Sequence, residues 1–120
     1  MNRKIYLCGP ITGIPQNNYL QFKEAAEILR NAGYQSVINP HDLFEGIDTS
    51  GFAHHDYMKV CLKTMVDCDL LLTLDDWEKS VGATLEVKVA RVLLIEVQPA
   101  FKFIQAITHS KHERSGINEH

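Results

Sequence analysis

The stretch Trp77-Glu78-Lys79-Ser80-Val81-Gly82-Ala83-Thr84-Leu85-Glu86 sets a hydroxyl, a glycine and one carboxylate where a strand should hand over to a helix. The opening run Lys4-Ile5-Tyr6-Leu7-Cys8-Gly9-Pro10-Ile11-Thr12-Gly13 offers a second such loop, with backbone amides and the Thr12 hydroxyl near a helix start. Donors at a helix N-terminus suit an anion, and a carboxylate beside them can act as a nucleophile. Ser80 and Glu86 lie about 600° apart in helical azimuth, so they do not share a face, yet they can flank one pocket. Glu86 aligns instead with Ala83 and Ala90, at i−3 and i+4, on a stripe of small residues. A lone helix glutamate is ordinarily solvated. On that stripe, a core-facing carboxylate must meet a cavity or a partner.

Other residues admit two readings each. Gly9 to Gly13 is neither the G-x-G-x-x-G fingerprint nor a Walker A loop, and a plain tight turn explains it as well. Trp77, the one tryptophan, can stack on a flat ring or anchor its own loop. Asp75 and Asp76 at a strand end can bind hydroxyls or move protons, or can be solvated turn residues. Asp67 and Asp69 read as turn formers. His41 and the pair His54-His55 match no metal-ligand spacing, so surface loop histidines and no metal are expected. The three cysteines, Cys8, Cys61 and Cys68, lack C-x-x-C pairing and read as small core residues. Cys8 lies in an apolar strand that disfavours a thiolate.

These residues need elements to position them. Ile5 to Cys8 reads as a buried strand ended by Gly9-Pro10. Phe22, Ala25, Ala26 and Leu29 fall at i, i+3, i+4 and i+7 of a helix, with Asn17 or Asn18 as cap and Gly33 as stop. A second strand covers Ser36 to Asn39, and a long loop covers residues 40–52. Met58, Cys61, Leu62 and Met65 outline a helix over 54–66, and Leu70 to Leu74 is an uninterrupted apolar strand. Ser80 caps a third helix running to about Arg91. Val92 to Val97 is expected as the fourth strand, followed by a last short helix outlined by Phe101, Ile104, Gln105 and Thr108. Alternating strands and helices imply an α/β fold, a parallel sheet with helices on both faces. Loops 9–17 and 75–80 then share the carboxyl edge, where ligands bind at the reversal of strand order.

The bulk composition sets limits. At 120 residues and 45% hydrophobic, the chain suffices for one core, expected over 1–110 with a polar tail at 111–120. A formal charge of −3 without like-charge runs argues against nucleic-acid polymers as partners. No apolar run approaches a signal peptide or the roughly 18 residues of a membrane span. A cytoplasmic protein with no membrane contact is expected.

The chain resembles the nucleoside 2-deoxyribosyltransferase superfamily, in particular its small phage and bacterial branch, the DUF4406 type. The carrying segments are Ile5 to Gly13, Asn18 to Phe22, Asn39-Pro40, Cys68-Asp69, and Trp77-x-x-Ser80-x-Gly82-Ala83-x-x-Glu86-x-x-x-Ala90, within residues 4–97. The resemblance implies a flavodoxin-like sheet of four to five strands, no cofactor, and cleavage of the bond between a nucleobase and a deoxyribose. It implies Glu86 as the nucleophile, oriented by Tyr6. It also implies a small-molecule nucleoside or nucleotide as partner and a homodimer or larger oligomer. Serine at position 80, where relatives acting on free nucleosides carry aspartate, tilts the expectation to a deoxynucleoside 5′-monophosphate. Its phosphate would be shared by Ser80 and the loop from Gly9 through Pro10 and Thr12 to Gly13, with Trp77 and Gly82 also expected to bind substrate. One departure stands out: nucleotide-hydrolysing relatives carry an acid where this chain has Cys61. Asp56, Asp75 and Asp76 are the candidate acid/base substitutes. The competing expectation is a protein that binds or sequesters a nucleotide without turnover. A flavin or redox protein on the same topology is a third, since fold does not fix function.

Overall fold

Successive side chains of a strand point to opposite faces, so a strand buried on both sides can serve two different cores. The computed structural model, which describes residues 2–108, is built on that division. Its elements are β1 (Ile5–Cys8), α1 (Tyr19–Asn31), β2 (Val37–Ile38), α2 (His54–Met65), β3 (Leu70–Thr73), α3 (Val81–Val92), β4 (Glu96–Pro99) and α4 (helical residues 100–108). Short helical turns at Pro15–Asn18, Pro40–Phe44 and Trp77–Lys79 begin the connections at one sheet edge. The sheet is wholly parallel in the order β2-β1-β3-β4, with Ile5 opposite both Val37 and Leu70, and Leu70 opposite Glu96. The chain steps from β1 to β2 on one side and to β3 on the other, a flavodoxin-like arrangement whose reversal falls between β1 and β3.

Ile5 and Leu7 join Leu70, Leu72, Phe22 and Leu29 beneath α1 and α4. Tyr6 and Cys8 face the other way, with Leu71, Cys61, Met65, Ala83, Val87 and Ala90 beneath α2 and α3. The expected stripe on α1 is buried in full. Burial of Phe22 or Leu29, each 0% exposed, stabilises the fold by about 1.5–3 kcal/mol. Gly33 follows the helix end at φ +107, a conformation other residues rarely adopt. Asp69 accepts from the Lys4 amide at 2.8 Å, fixing the start of β1 against the turn before β3.

Several expectations change. Asn18 occupies the cap position of α1 but makes no capping bond. It donates instead to the Pro10 carbonyl (3.0 Å) and Gln21 Oε1 (2.8 Å), tying the loop after β1 to the helix. The paired part of the second strand is only Val37–Ile38. The fourth strand is Glu96–Pro99, because α3 continues to Val92 and the chain then turns through Leu94 at φ +60. Pairing with β3 fixed that register; the apolar run from Val92 to Val97 did not mark it. In α4 the buried residues are Ala100 and Phe103, with Phe101 turned to solvent at 60% exposure. The polar tail expected at 111–120 lies outside the described residues.

Candidate active site

The loops after β1, β2 and β3 meet over the carboxyl edge of the sheet. Gly9 ends β1 where a Cβ would fall 2.9 Å from Leu74 Cβ, so only glycine lets the chain leave this close to β3. The same approach is held by the Leu74 amide donating to the Cys8 carbonyl at 2.7 Å. Beyond it, Gln16, Asn17 and Asn18 all take left-handed dihedrals (φ 55, 54 and 60), a costly local geometry for residues bearing a Cβ.

At the start of α3, Ser80 Oγ accepts from the Ala83 amide at 3.2 Å and so caps the helix as its sequence position predicts. First-turn amides of a helix have no intrahelical acceptor, and the first turn of α3 carries no acidic residue. This end therefore keeps the positive pole of its dipole unneutralised. α2 lies against it. A Cβ on Gly82 would stand 3.0 Å from Met58 Sδ and 3.6 Å from His54 Nε2.

Glu86 projects from the second turn of α3 toward β1 and is 6% exposed. Tyr6 Oη donates to its Oε2 at 2.6 Å, and the Cys8 thiol lies 3.4 Å from Oε1 and 3.5 Å from the Ala83 carbonyl. Burial pushes the Glu86 carboxyl up to about 7, against the opposing pull of the bonds from Tyr6 and Cys8. Near neutral pH the group thus exists in both forms. Burial and the neighbouring Glu86 charge hold the Tyr6 phenol and the Cys8 thiol well above their ordinary ranges, so both remain donors. Burial likewise pushes Cys61 up to about 11, so beside the Tyr6 hydroxyl it is a neutral thiol. The arrangement suits a carboxylate that is held in one orientation and released from solvent, as a nucleophile or proton carrier requires.

A cavity of about 360 Å³ opens over this group. The structure brings Tyr6, Gly9, Thr12, Ser80, Gly82 and Glu86 to its wall. Six other residues proposed from sequence are not on that wall. Gly13 stands clear at φ +84 with nothing near a virtual Cβ. Trp77 packs half-buried on the α2/α3 side of the core, which favours the anchoring reading. Asp56 accepts from the Ala53 amide at 2.9 Å and is occupied with the start of α2. Pro10, Asp75 and Asp76 line a separate shallow hollow beside Glu24, and Asp76 pairs with Lys79 at 3.4 Å in solvent. None of the three aspartates is placed to serve the cavity.

Sequence reasoning missed one wall. His41, Phe44, Thr49, His54, Tyr57 and Met58 line the side formed by the 40–52 loop and α2. The signal was available in position, since Asn39-Pro40-His41 follows β2 at the ligand-binding edge. His41 is not a surface histidine. It sits edge-on to Phe22 and Tyr19, at centroid distances of 5.0 and 5.6 Å, and burial lowers its pKa. Its Nε2 is buried without a hydrogen-bond partner, a condition that costs about 1–3 kcal/mol. Phe44, Phe52 and Tyr57 pack mutually edge-to-face at 5.1 to 6.3 Å, stiffening the same wall.

Among the described residues, no cluster of three or more His, Cys, Asp or Glu could hold a metal ion. No helix among them is long and apolar enough to cross a membrane.

The profile of a family described as "Domain of unknown function (DUF4406)" matches residues 3–98. The solved 2-deoxyribosyltransferase of the psychrotolerant bacterium Bacillus psychrosaccharolyticus superposes with a TM-score of 0.60 at 21% identity, covering 78% of this chain and 69% of that one. At that identity the likeness is one of fold. No curated protein matches the chain.

Proposed function

This chain belongs to the DUF4406 family, and from that premise we propose that it cleaves or transfers the N-glycosidic bond of a deoxynucleoside 5′-monophosphate. The observation that carries the reading is the buried 2.6 Å bond from Tyr6 Oη to Glu86 Oε2 at the floor of a cavity. The Glu86 carboxylate attacks the anomeric carbon; the carbon–nitrogen bond breaks, and the base departs with the electron pair and takes up a proton. Water or a second base then displaces the carboxylate, giving free sugar phosphate or a new nucleotide. Tyr6 holds Oε2, leaving Oε1 with only a weak thiol contact and hence the more available lone pairs. The phosphate sits by Gly9 and Thr12 and at the mouth of α3, where Ser80, first-turn amides and the helix dipole favour a dianion.

The test is incubation with a panel of deoxynucleoside 5′-monophosphates, with chromatographic detection of free base. Release that disappears in Glu86→Ala is expected. No release from any of them, with Glu86→Ala indistinguishable from the parent, would end the catalytic reading. Cys61 favours a second reading. It places a neutral thiol beside Tyr6 where the sequence resemblance expects an acid, as suits a protein that sequesters an intact nucleotide. Calorimetry showing tight binding with no product formed would select it.

A further inference from the structure

Cys8 is wholly buried where β1 meets α3, and the proposed chemistry gives its thiol no task. A thiol carries one proton, yet two acceptors stand within reach of Sγ: Glu86 Oε1 at 3.4 Å and the Ala83 carbonyl at 3.5 Å. Both belong to α3, so the helix that carries the carboxylate also carries the alternative to it. A carbonyl oxygen has two lone pairs, so Ala83 can take the thiol proton without giving up a helical bond. Tyr6 Oη occupies Oε2 at 2.6 Å. A change that needs a lone pair of the other oxygen therefore falls on Oε1, opposite the thiol. While Glu86 is charged, the S–H answers the carboxylate, the stronger acceptor. Once Oε1 bears a proton, the same S–H would oppose another donor. Turned to Ala83 it meets an acceptor, and the sulfur lone pair receives the new O–H. No buried donor is left unmet in either state.

We infer that Cys8 is a positioning residue with two settings: its thiol holds Glu86 Oε1 while the carboxylate is charged and free, and turns to the Ala83 carbonyl when that oxygen takes up a proton or the sugar carbon. The sugar step rests on the function proposed above; the proton step does not. The turn is a rotation about the Cβ–Sγ bond and transfers no proton. On glycosylation an Oε1 lone pair forms the bond to the anomeric carbon, and the thiol withdraws to a partner already in place. A hydroxyl at position 8 would donate more strongly to the carboxylate and hold that lone pair back, whereas a methyl would leave Oε1 unheld.

The S–H stretch absorbs where other protein groups do not, and a stronger acceptor lowers its frequency. Infrared difference spectra of the wild type minus Cys8→Ser thus isolate this thiol from Cys61 and Cys68. The titratable groups that share the cavity with Glu86 are Tyr6 from β1, His54, Tyr57 and Cys61 from α2, and His41 from the loop after β2. The Cys8 band should move to lower frequency as pH rises through about 7, where Glu86 takes its charge. In Glu86→Gln, which keeps every other group in that set, it should stay still. A band that does not move in the wild type, or that still moves in Glu86→Gln, overturns the inference with or without turnover. The kinetic arm reads opposed shifts, because a donor to the charged carboxylate lowers its pKa. Cys8→Ser should move the rising limb of the pH–rate profile to lower pH and cut base release roughly tenfold on its plateau, and Cys8→Ala should move the limb to higher pH. Limbs that stay put or move together overturn the inference, since packing alone predicts no opposed shifts. Should the alanine variant fold poorly, the serine variant carries both the spectral subtraction and the kinetic arm. Absence of base release from the wild type would sink the proposed function, and the infrared arm would still decide the thiol.

Discussion

The two faces of one sheet are made from the same strands and do opposite things. Under α1 and α4, Ile5, Leu7, Leu70, Leu72, Phe22 and Leu29 close a core of hydrocarbon and aromatic surface. Under α2 and α3, the intervening residues Tyr6 and Cys8 bring a hydroxyl and a thiol to a buried carboxylate. The first face gains stability from burial and is indifferent to pH. The second gives up part of that gain, because Glu86 is held where its charged form is poorly solvated. The difference lies in strand alternation, which turns Tyr6 and Cys8 toward the buried carboxylate while Ile5 and Leu7 point into hydrocarbon.

The largest effect should come from Glu86→Gln, which keeps the shape and removes the nucleophile. Base release should fall about 1000-fold or more, whereas stability should move the other way at high pH. The folded-state pKa of Glu86 is raised, so its contribution to stability is fully present below the unfolded value and is lost as pH rises through about 7. Wild type should therefore weaken from pH 5 to pH 8 by on the order of 3 kcal/mol relative to the variant. Paired denaturation curves at the two pH values measure it, and parallel behaviour would mean Glu86 is not buried in solution.

Leu29→Ala makes the opposite probe. It should cost about 2–5 kcal/mol at either pH by leaving a cavity in the apolar face, with base release per folded molecule preserved. A large change in KM instead would show that the two faces are not independent.

Tyr6→Phe should be milder. The bond from Tyr6 lowers the Glu86 pKa, so its loss should move the rising limb of the pH–rate profile to higher pH and cost roughly tenfold at pH 7. An unmoved limb would sever the two residues.

Ser80→Ala should have the smallest effect on the fold. Losing the cap costs about 1 kcal/mol, read as a lower Tm. Its functional signature is selective: KM for a nucleotide should rise more than KM for the matching nucleoside, since only the former places a dianion at α3. Equal rises would remove Ser80 from phosphate recognition.

Much of this was legible in the chain. The stripe Phe22, Ala25, Ala26, Leu29 and the run at Leu70–Thr73 announced their burial, because periodicity of 3.6 and unbroken apolarity are local properties of sequence. Ser80 as cap and Glu86 on a small-residue stripe were legible on the same ground. β4 and the inward face of α4 were not. Val92 to Val97 is apolar without a period, and only pairing with β3 decided where the strand lies. Cap chemistry predicted Asn18 as an N-cap, but the tertiary approach of the Pro10 carbonyl claimed its side chain.

The sequence by itself determined the alternation of strands and helices, the loops that crowd one sheet edge, and the single carboxylate among alanines. Only the tertiary structure decided which donors reach that carboxylate, that Trp77 and the three aspartates turn elsewhere, and that a histidine from the loop after β2 completes the wall. The reason is physical: element type follows from neighbours in the chain, whereas the proton affinity of Glu86 and the unpartnered ring nitrogen of His41 follow from water excluded by residues dozens of positions away.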